Sequence, residues 1–550
     1  MDIHDFPTEE WHDGSEVTQK LGEQHSANQY ATVPAATVQH PPRKVSRRKL
    51  FSIAAATGVG VVAVAGGGVA VEQFLQNGGG GLDFFRQGPI ASSMQIGHLL
   101  RRAGFGATPA DIQTYRNYGY AGAVDRLINY QQVSDDAMEA RLKSLNLDFS
   151  APKGTAVINM QRWWLLRMAW TQRPLLEKMT LFWHGLLTSS FHKVGGPKAY
   201  QRVMVQNEFF RTHAFDTFDN ILLGITSDPA MLVYLDLTKS RKNAPNENYA
   251  RELMELFTLG LGKYTQQDVY QAASALTGWH VKGATTQAQY VERDHSALNK
   301  TYLGQSGNFD YKDVIRILAN NPATPVFLCR KLFEFFVYEN PSDADLKPLI
   351  DAYTQSGHNI GAVMRALLLS PQFASQKAYR ARIKSPTEFV AGVYRALDVH
   401  GNGKGLEYMT ATMGQTLFDP PNVAGWPGNK VSALWLNSGT WMARLNYIDT
   451  LMAGSRNAKS ATNNTIDIQG IVNTHNIDSP EHFVDFFGSF LLDGVIDKDR
   501  RAQFIEYFTQ QVPTKVKSTS ITLKNGKLYP LNAVRGTVYL ILASPEYQLN

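Results

Sequence analysis

The stretch NENYARELMELFTLG, residues 246–260, crowds acids and arginine into what reads as one helix. Asn248, Arg251, Glu252 and Glu255 recur at i, i+3, i+4 and i+7, so a helix carries them as a single stripe. Two carboxyls on one face can share a proton or hold a cation. An arginine beside them binds an anionic group or tunes their ionisation. Glu247 lies four positions before Arg251, the spacing of a helical ion pair. The same pattern therefore fits an active-site face and an ion-paired, solvated one. Tyr249, Leu253, Leu256 and Gly260 form a second stripe, expected to face the core.

Histidines and aromatics supply the other candidates. EKMTLFWHGLLTSSFHK contains His184 and His192, which a continuous helix would hold two turns apart, too far for one metal. Beside Trp183, His184 reads as a packed core residue, with metal ligation as the alternative. ERDHSALNKTYLG places Asp294 and His295 in a polar loop with Lys300 nearby, and His295 is the second weak metal candidate. Trp279 in LTGWH and Trp426 in DPPNVAGWPGN each follow a glycine in a tight turn. Such a rigid indole either stacks on a sugar or another flat ligand, or plugs the core. The lone Cys329, in the apolar helix VFLCRKLFEFFVY, reads as a small buried hydrophobe. One cysteine excludes a disulfide framework, a multi-cysteine iron–sulfur cluster and a CxxCH haem attachment. GxSxG, Walker A, HExxH, EF-hand and GxGxxG signatures are absent, which argues against standard serine hydrolases, P-loop enzymes, zincins and dinucleotide oxidoreductases; the cofactor stays unknown, with a metal ion as one candidate.

The elements that must position these residues read as helix after helix. Thr108-Pro109-Ala110-Asp111, Ser385-Pro386-Thr387-Glu388 and Ser479-Pro480-Glu481 are helix starts, and VINMQRWWLLRMAW, FDNILLGI, VIRILANN and GAVMRALLLS show helical periodicity. The clearest strand signal is VKSTSITLKNGKLYPL, an expected type I′ hairpin at Asn525-Gly526. The expected fold is mainly α: a multi-helix globular domain at 91–452, a linker at 453–467, and a helical C-terminal subdomain at 468–550 with a hairpin near 518–531.

At 550 residues, 43% hydrophobic and 19% charged, the chain can bury a large core. A net charge of +6 without a basic, aromatic-laced stripe argues against nucleic acid as a partner. Residues 1–45 are polar and read as a disordered tail. Ser46-Arg47-Arg48-Lys49-Leu50-Phe51 followed by the uncharged run 51–71 has the form of a twin-arginine export signal, with an N-terminal membrane anchor as the alternative. The twin-arginine translocation machinery is then a partner. The destination is the periplasm, the exterior or the outer face of the cytoplasmic membrane. Residues 72–90 form a Gly-rich linker.

Several of these segments together resemble the bacterial domain of unknown function 1800 family. HLLRRAGFGATPADI, EKMTLFWHGLLTSSFHKV, APNENYARELMELFTLGLGKYTQQDVYQAASALTGWHV, HSALNKTYLG, KSPTEFVAGVYRAL and MGQTLFDPPNVAGWPGN carry the likeness in one order. The resemblance implies export and a co-exported partner related to sulfatases and phosphatases, but no specific activity. Two positions depart from the family pattern. Leu186 stands where many members have the second histidine of His-x-His, and Ser296 follows His295 where many have aspartate. A metal held by either pair would lose a ligand here.

Two functions remain open at this level. One is an exported enzyme of hydrolase or lyase type acting on a cell-envelope or extracellular polymer. Glu252, Glu255, Glu247, Arg251 and His295 would then be its catalytic candidates, and Asn248, Trp279, Trp426 and Lys300 would hold substrate. The other is a non-catalytic helical scaffold or binding partner for the co-exported protein.

Overall fold

A computed structural model describes residues 90–550 except 91, 152, 197, 454–463 and 511–519. The tail 1–45, the export segment 46–71, nearly all of the linker 72–90 and most of the linker 453–467 lie outside the described residues. Among the described residues no helix is long and apolar enough to cross a membrane.

The architecture is mainly α, as the periodicity requires. The three proline-marked starts all form caps. Thr108 and Ser385 each close a capping box, with Asp111 and Glu388, and the Ser479 side chain accepts from His482 N. The most buried helices are α1 (Pro174–Leu186), enclosed on every face from Pro174 to His184, and a later helix, Pro386–Ala396, enclosed throughout. Helix Lys153–Trp170 packs on the latter and Ala199–Thr212 on the former. A buried bidentate pair locks α1 to Ala199–Thr212. Arg211 donates to both Glu177 oxygens at 2.7 and 3.1 Å, and Trp164 Nε1 adds a third bond at 2.9 Å.

Past α1 the chain makes a short helix, α2 (Phe191–Val194), and later α3 (Pro229–Tyr234), against which α2 packs. Helix α4 (Asn248–Glu252) then passes into a π-helical turn, Leu253–Thr258, where Leu259 N bonds Met254 O at 2.8 Å. Helix α5 (Gln266–Ala275) follows.

Among the described residues, three antiparallel two-stranded hairpins interrupt the helices. Two went unsignalled: β1 (Trp279–Val281) with β2 (Ala288–Tyr290), and β3 (Lys300–Tyr302) with β4 (Gln305–Gly307). Strands of three residues are too short for an alternating pattern to register. The third, β5 (Ser520–Thr522) with β6 (Leu528–Pro530), falls where the sequence places it. Its turn is not type I′, because only Gly526 has a positive φ, +78°. Instead Gly526 N bonds Leu523 O at 2.9 Å and Lys527 N bonds the Asn525 side chain at 2.8 Å. Asn525 thus closes the turn with its side chain rather than by adopting the left-handed region.

Candidate functional site

The π-helical turn divides the charged stripe into two halves with different fates. On the α4 side, Arg251 Nη2 lies 3.0 Å from Glu247 and also donates to Gln266 on α5 at 3.0 Å. Gln266 returns a 2.7 Å bond to Glu247, and Asn248 donates to Asp236 at 3.3 Å. Glu247, Asn248 and Arg251 are therefore spent on holding α4 to its neighbours. Asn248, the substrate-binding candidate, and Arg251, the anion-binding candidate, thus each have a partner within the protein.

Beyond Glu252 the wide turn rotates the helix. Tyr249, Ala250, Leu253, Met254, Phe257 and Thr258 are buried, while Leu256 and Gly260, expected in the core, are half-exposed. A π turn inserts an extra residue per turn, and such turns recur at functional sites. Glu255 accepts from the Tyr264 hydroxyl at 2.5 Å. Glu252 makes no hydrogen bond or ion pair with any described residue. Loss of solvation, reinforced by the Glu255 carboxylate, raises the Glu252 pKa above the usual carboxylate range, against the opposing pull of Arg251 and Lys193.

A constellation that the sequence did not reveal begins with Lys193 and Tyr234, both in electrostatic range of this carboxyl. Lys193 on α2 sits over the Tyr234 ring at 4.7 Å, and burial, then the Glu252 and Asp419 carboxylates, pushes the Tyr234 hydroxyl up to about 12. His192, largely exposed, donates from Nδ1 to Asp419 Oδ2 at 2.7 Å, and Ser190 Oγ donates to Asp419 Oδ1. Asp419 follows Phe418, a buried aromatic at φ +63°, where a bulky side chain is strained. The surroundings over-determine that conformation. Phe418 N donates to His184 Nε2 at 3.1 Å, Phe191 N donates to Phe418 O at 3.0 Å, and Gln161 Nε2 donates to Leu417 O at 2.9 Å. The FDPP turn thus presents Asp419 to α2 on a rigid mount.

His184 serves that mount. It is buried among Trp164, Phe418 and Trp426, and desolvation lowers its pKa to about 3, so it is neutral and accepts the Phe418 amide. Helix α1 ends at Leu186, so His184 and His192 do not share a helix. Among the described residues no group of three or more His, Cys, Asp or Glu is placed to hold a metal ion.

The remaining candidates lie elsewhere. Trp279 and Trp426 are buried, so neither presents a stacking face. Trp279 packs edge-on to Tyr290 and Tyr311, and Trp426 packs with Ile383, Trp435 and Leu436. The glycine before each tryptophan is required. Gly278 (φ +105°) and Gly425 (φ +79°) are left-handed, and a Cβ on Gly425 would lie 2.5 Å from Gly185 O. His295 leans on Thr277 through Nδ1 at 3.2 Å, and burial lowers its pKa. Lys300 is buried and donates to Ser296 O, Phe309 O and Asn308, pinning the β3–β4 hairpin. Both belong to the hairpin region and are not ion-paired to the Glu252 face. Cys329 is buried, with its thiol pushed up to about 12 by burial.

The family described as "Protein of unknown function (DUF1800)" matches residues 98–549. The chain belongs to this family. No curated protein and no solved structure matches it. The DUF1800 match spans α1, the FDPP turn and the π turn, so all three parts of the constellation lie inside the family region. Sequence reasoning missed Asp419 because its partners, Ser190 and His192, are more than two hundred residues away. The only local signal was its place before two prolines.

Proposed function

We propose that this chain is an exported acid–base enzyme, of hydrolase or lyase type, that acts on a polymer of the cell envelope with Glu252 as proton donor. One observation carries the reading. Glu252 is a half-buried carboxyl at the end of α4, without a hydrogen bond or ion pair to any described residue and with a raised pKa. It lies in electrostatic range of Lys193 and of Tyr234, which also senses the Asp419 that holds His192. A carboxyl with a raised pKa is suited to donating a proton near neutral pH. His192 has one nitrogen oriented by Asp419 and makes no second bond with any described residue, the arrangement of an oriented base. Lys193 supplies a positive charge for an anionic group on the substrate.

The non-catalytic scaffold is the second reading, favoured by the Glu247–Arg251–Gln266 network and the burial of both tryptophans. One experiment separates the two. The purified mature chain, Glu252→Gln and Asp419→Asn are each incubated with isolated envelope polysaccharide and peptidoglycan. New reducing ends and unsaturated products are measured, and thermal stability is recorded in parallel. The enzyme reading expects product from the wild type and at least a hundredfold less from stable Glu252→Gln, in line with the general acid–base contribution. Equal turnover by Glu252→Gln, or no product from the wild type on either polymer, would sink it in favour of the scaffold.

A further inference from the structure

A second site lies apart from the Glu252 face, where α1, the start of helix Pro386–Ala396 and the segment after Trp426 meet. They enclose a cavity of about 10 Å³, room for one water or one monatomic ion. Its wall includes Arg382, Ser385, Glu388, Gln415, Asn429 and Trp435.

The surroundings carry more buried positive charge than negative. Arg102, Lys178, Arg382 and Arg444 are all buried, and Glu388 is the buried acid among them. The Arg102 guanidinium is spent on the neutral carbonyls of Phe335, Phe336 and Val337, and Arg444 on Lys384 O and Gln548 Oε1. Arg382 reaches Glu339 at 3.3 Å, its strongest charge partner, with Glu388 and Glu334 acting on it from further off. Burial depresses Lys178 to about 8 and lowers Arg382, outweighing the carboxylates that pull the other way.

The wall is also rich in donors and poor in acceptors. The two Glu388 oxygens already receive Lys178, Ser385 N and Asn550 Nδ2. Gln415 gives its carbonyl oxygen to Thr387 N at 2.9 Å, which leaves its NH₂ unspent. Ser385 Oγ accepts from Glu388 N and keeps its own proton free to donate. Arg382 uses Nη1 and Nη2, with no bond from Nε. A water placed here would need acceptors for its own two protons, whereas a monatomic anion takes every donor and offsets buried charge.

We propose that this cavity binds one monatomic anion of chloride size, held by Arg382, Ser385 and Gln415. The ion fastens the start of helix Pro386–Ala396 to the segment that follows the GWPG turn. It requires nothing of Glu252.

The test uses the purified protein with bromide and chloride as probes. Crystals soaked in sodium bromide are expected to show one anomalous peak in the cavity, within hydrogen-bond reach of Arg382, Ser385 and Gln415. In solution, chloride is expected to raise Tm saturably above the value in sodium gluconate at equal ionic strength. Gln415→Glu places a carboxylate where the anion sits, so this shift is expected to vanish while the fold persists, and Arg382→Gln is expected to weaken it. Water density without an anomalous peak, equal Tm in the two salts, or a chloride shift undiminished in Gln415→Glu would each overturn the assignment.

Discussion

Asp228 offers a quantitative check on how this core handles charge. It caps α3, the helix that carries Tyr234 to the Glu252 face, accepting from Met231 N at 2.8 Å and from Gln206 Nε2 at 2.7 Å. Burial outweighs those two donors and raises its pKa from 3.8 to about 7. That rise corresponds to about 4 kcal/mol of preference for the neutral form. Between the two values the folded protein keeps a proton that the unfolded chain releases. The contribution of Asp228 is therefore complete below about pH 4 and is lost as pH rises towards about 7. Asp228→Asn keeps a capping oxygen and cannot ionise. Its stability relative to wild type is expected to be near zero at about pH 4. The advantage then grows by up to about 1.4 kcal/mol per pH unit and levels off near 4 kcal/mol by about pH 8. Urea unfolding followed by tryptophan fluorescence across that range reads the difference directly. A difference that does not change with pH would refute the claim that Asp228 is held neutral.

Three further outcomes follow from the same geometry. Arg251→Ala removes a partly exposed ion pair and is expected to cost under about 1 kcal/mol by denaturant midpoint, so a larger loss would place that network in the core. Trp426→Ala opens a hole beside His184 and Trp435 and is expected to cost about 3–5 kcal/mol, read the same way. Glu388→Gln leaves Lys178 without its carboxylate in a buried site. It is expected to cost about 3–5 kcal/mol at neutral pH, and less at high pH, where wild-type Lys178, depressed to about 8, gives up its proton and the pair it forms with Glu388 is lost.

Local chemistry made much of the helical framework legible. The Thr108, Ser385 and Ser479 caps formed because a side-chain oxygen, a proline and usually an acid within one turn suffice to start a helix. Gly278 and Gly425 were legible for a related reason. A glycine ahead of a bulky indole marks a backbone position that no side chain tolerates. The π turn was not legible, since Leu253–Thr258 has the composition of an ordinary helix and only its packing selects the wider winding. That winding moved Leu256 and Gly260 out of the expected core and divided the stripe into a paired half and an open one.

The sequence by itself determined that the chain is helical, that it belongs to its family, and which stretch gathers carboxyls and arginine, because all three are written in neighbouring residues. Only the tertiary structure decided which charges are spent and which are left. Arg251 found Glu247 four residues away and Gln266 on the next helix, while Glu252 found no hydrogen-bond or ion-pair partner among the described residues. Asp419 met His192 only because His184, Phe191 and Gln161, distant in the chain, hold Phe418 in a strained conformation. A charge's pairing and desolvation depend on everything that packs around it, and long-range packing is what a single sequence does not spell out.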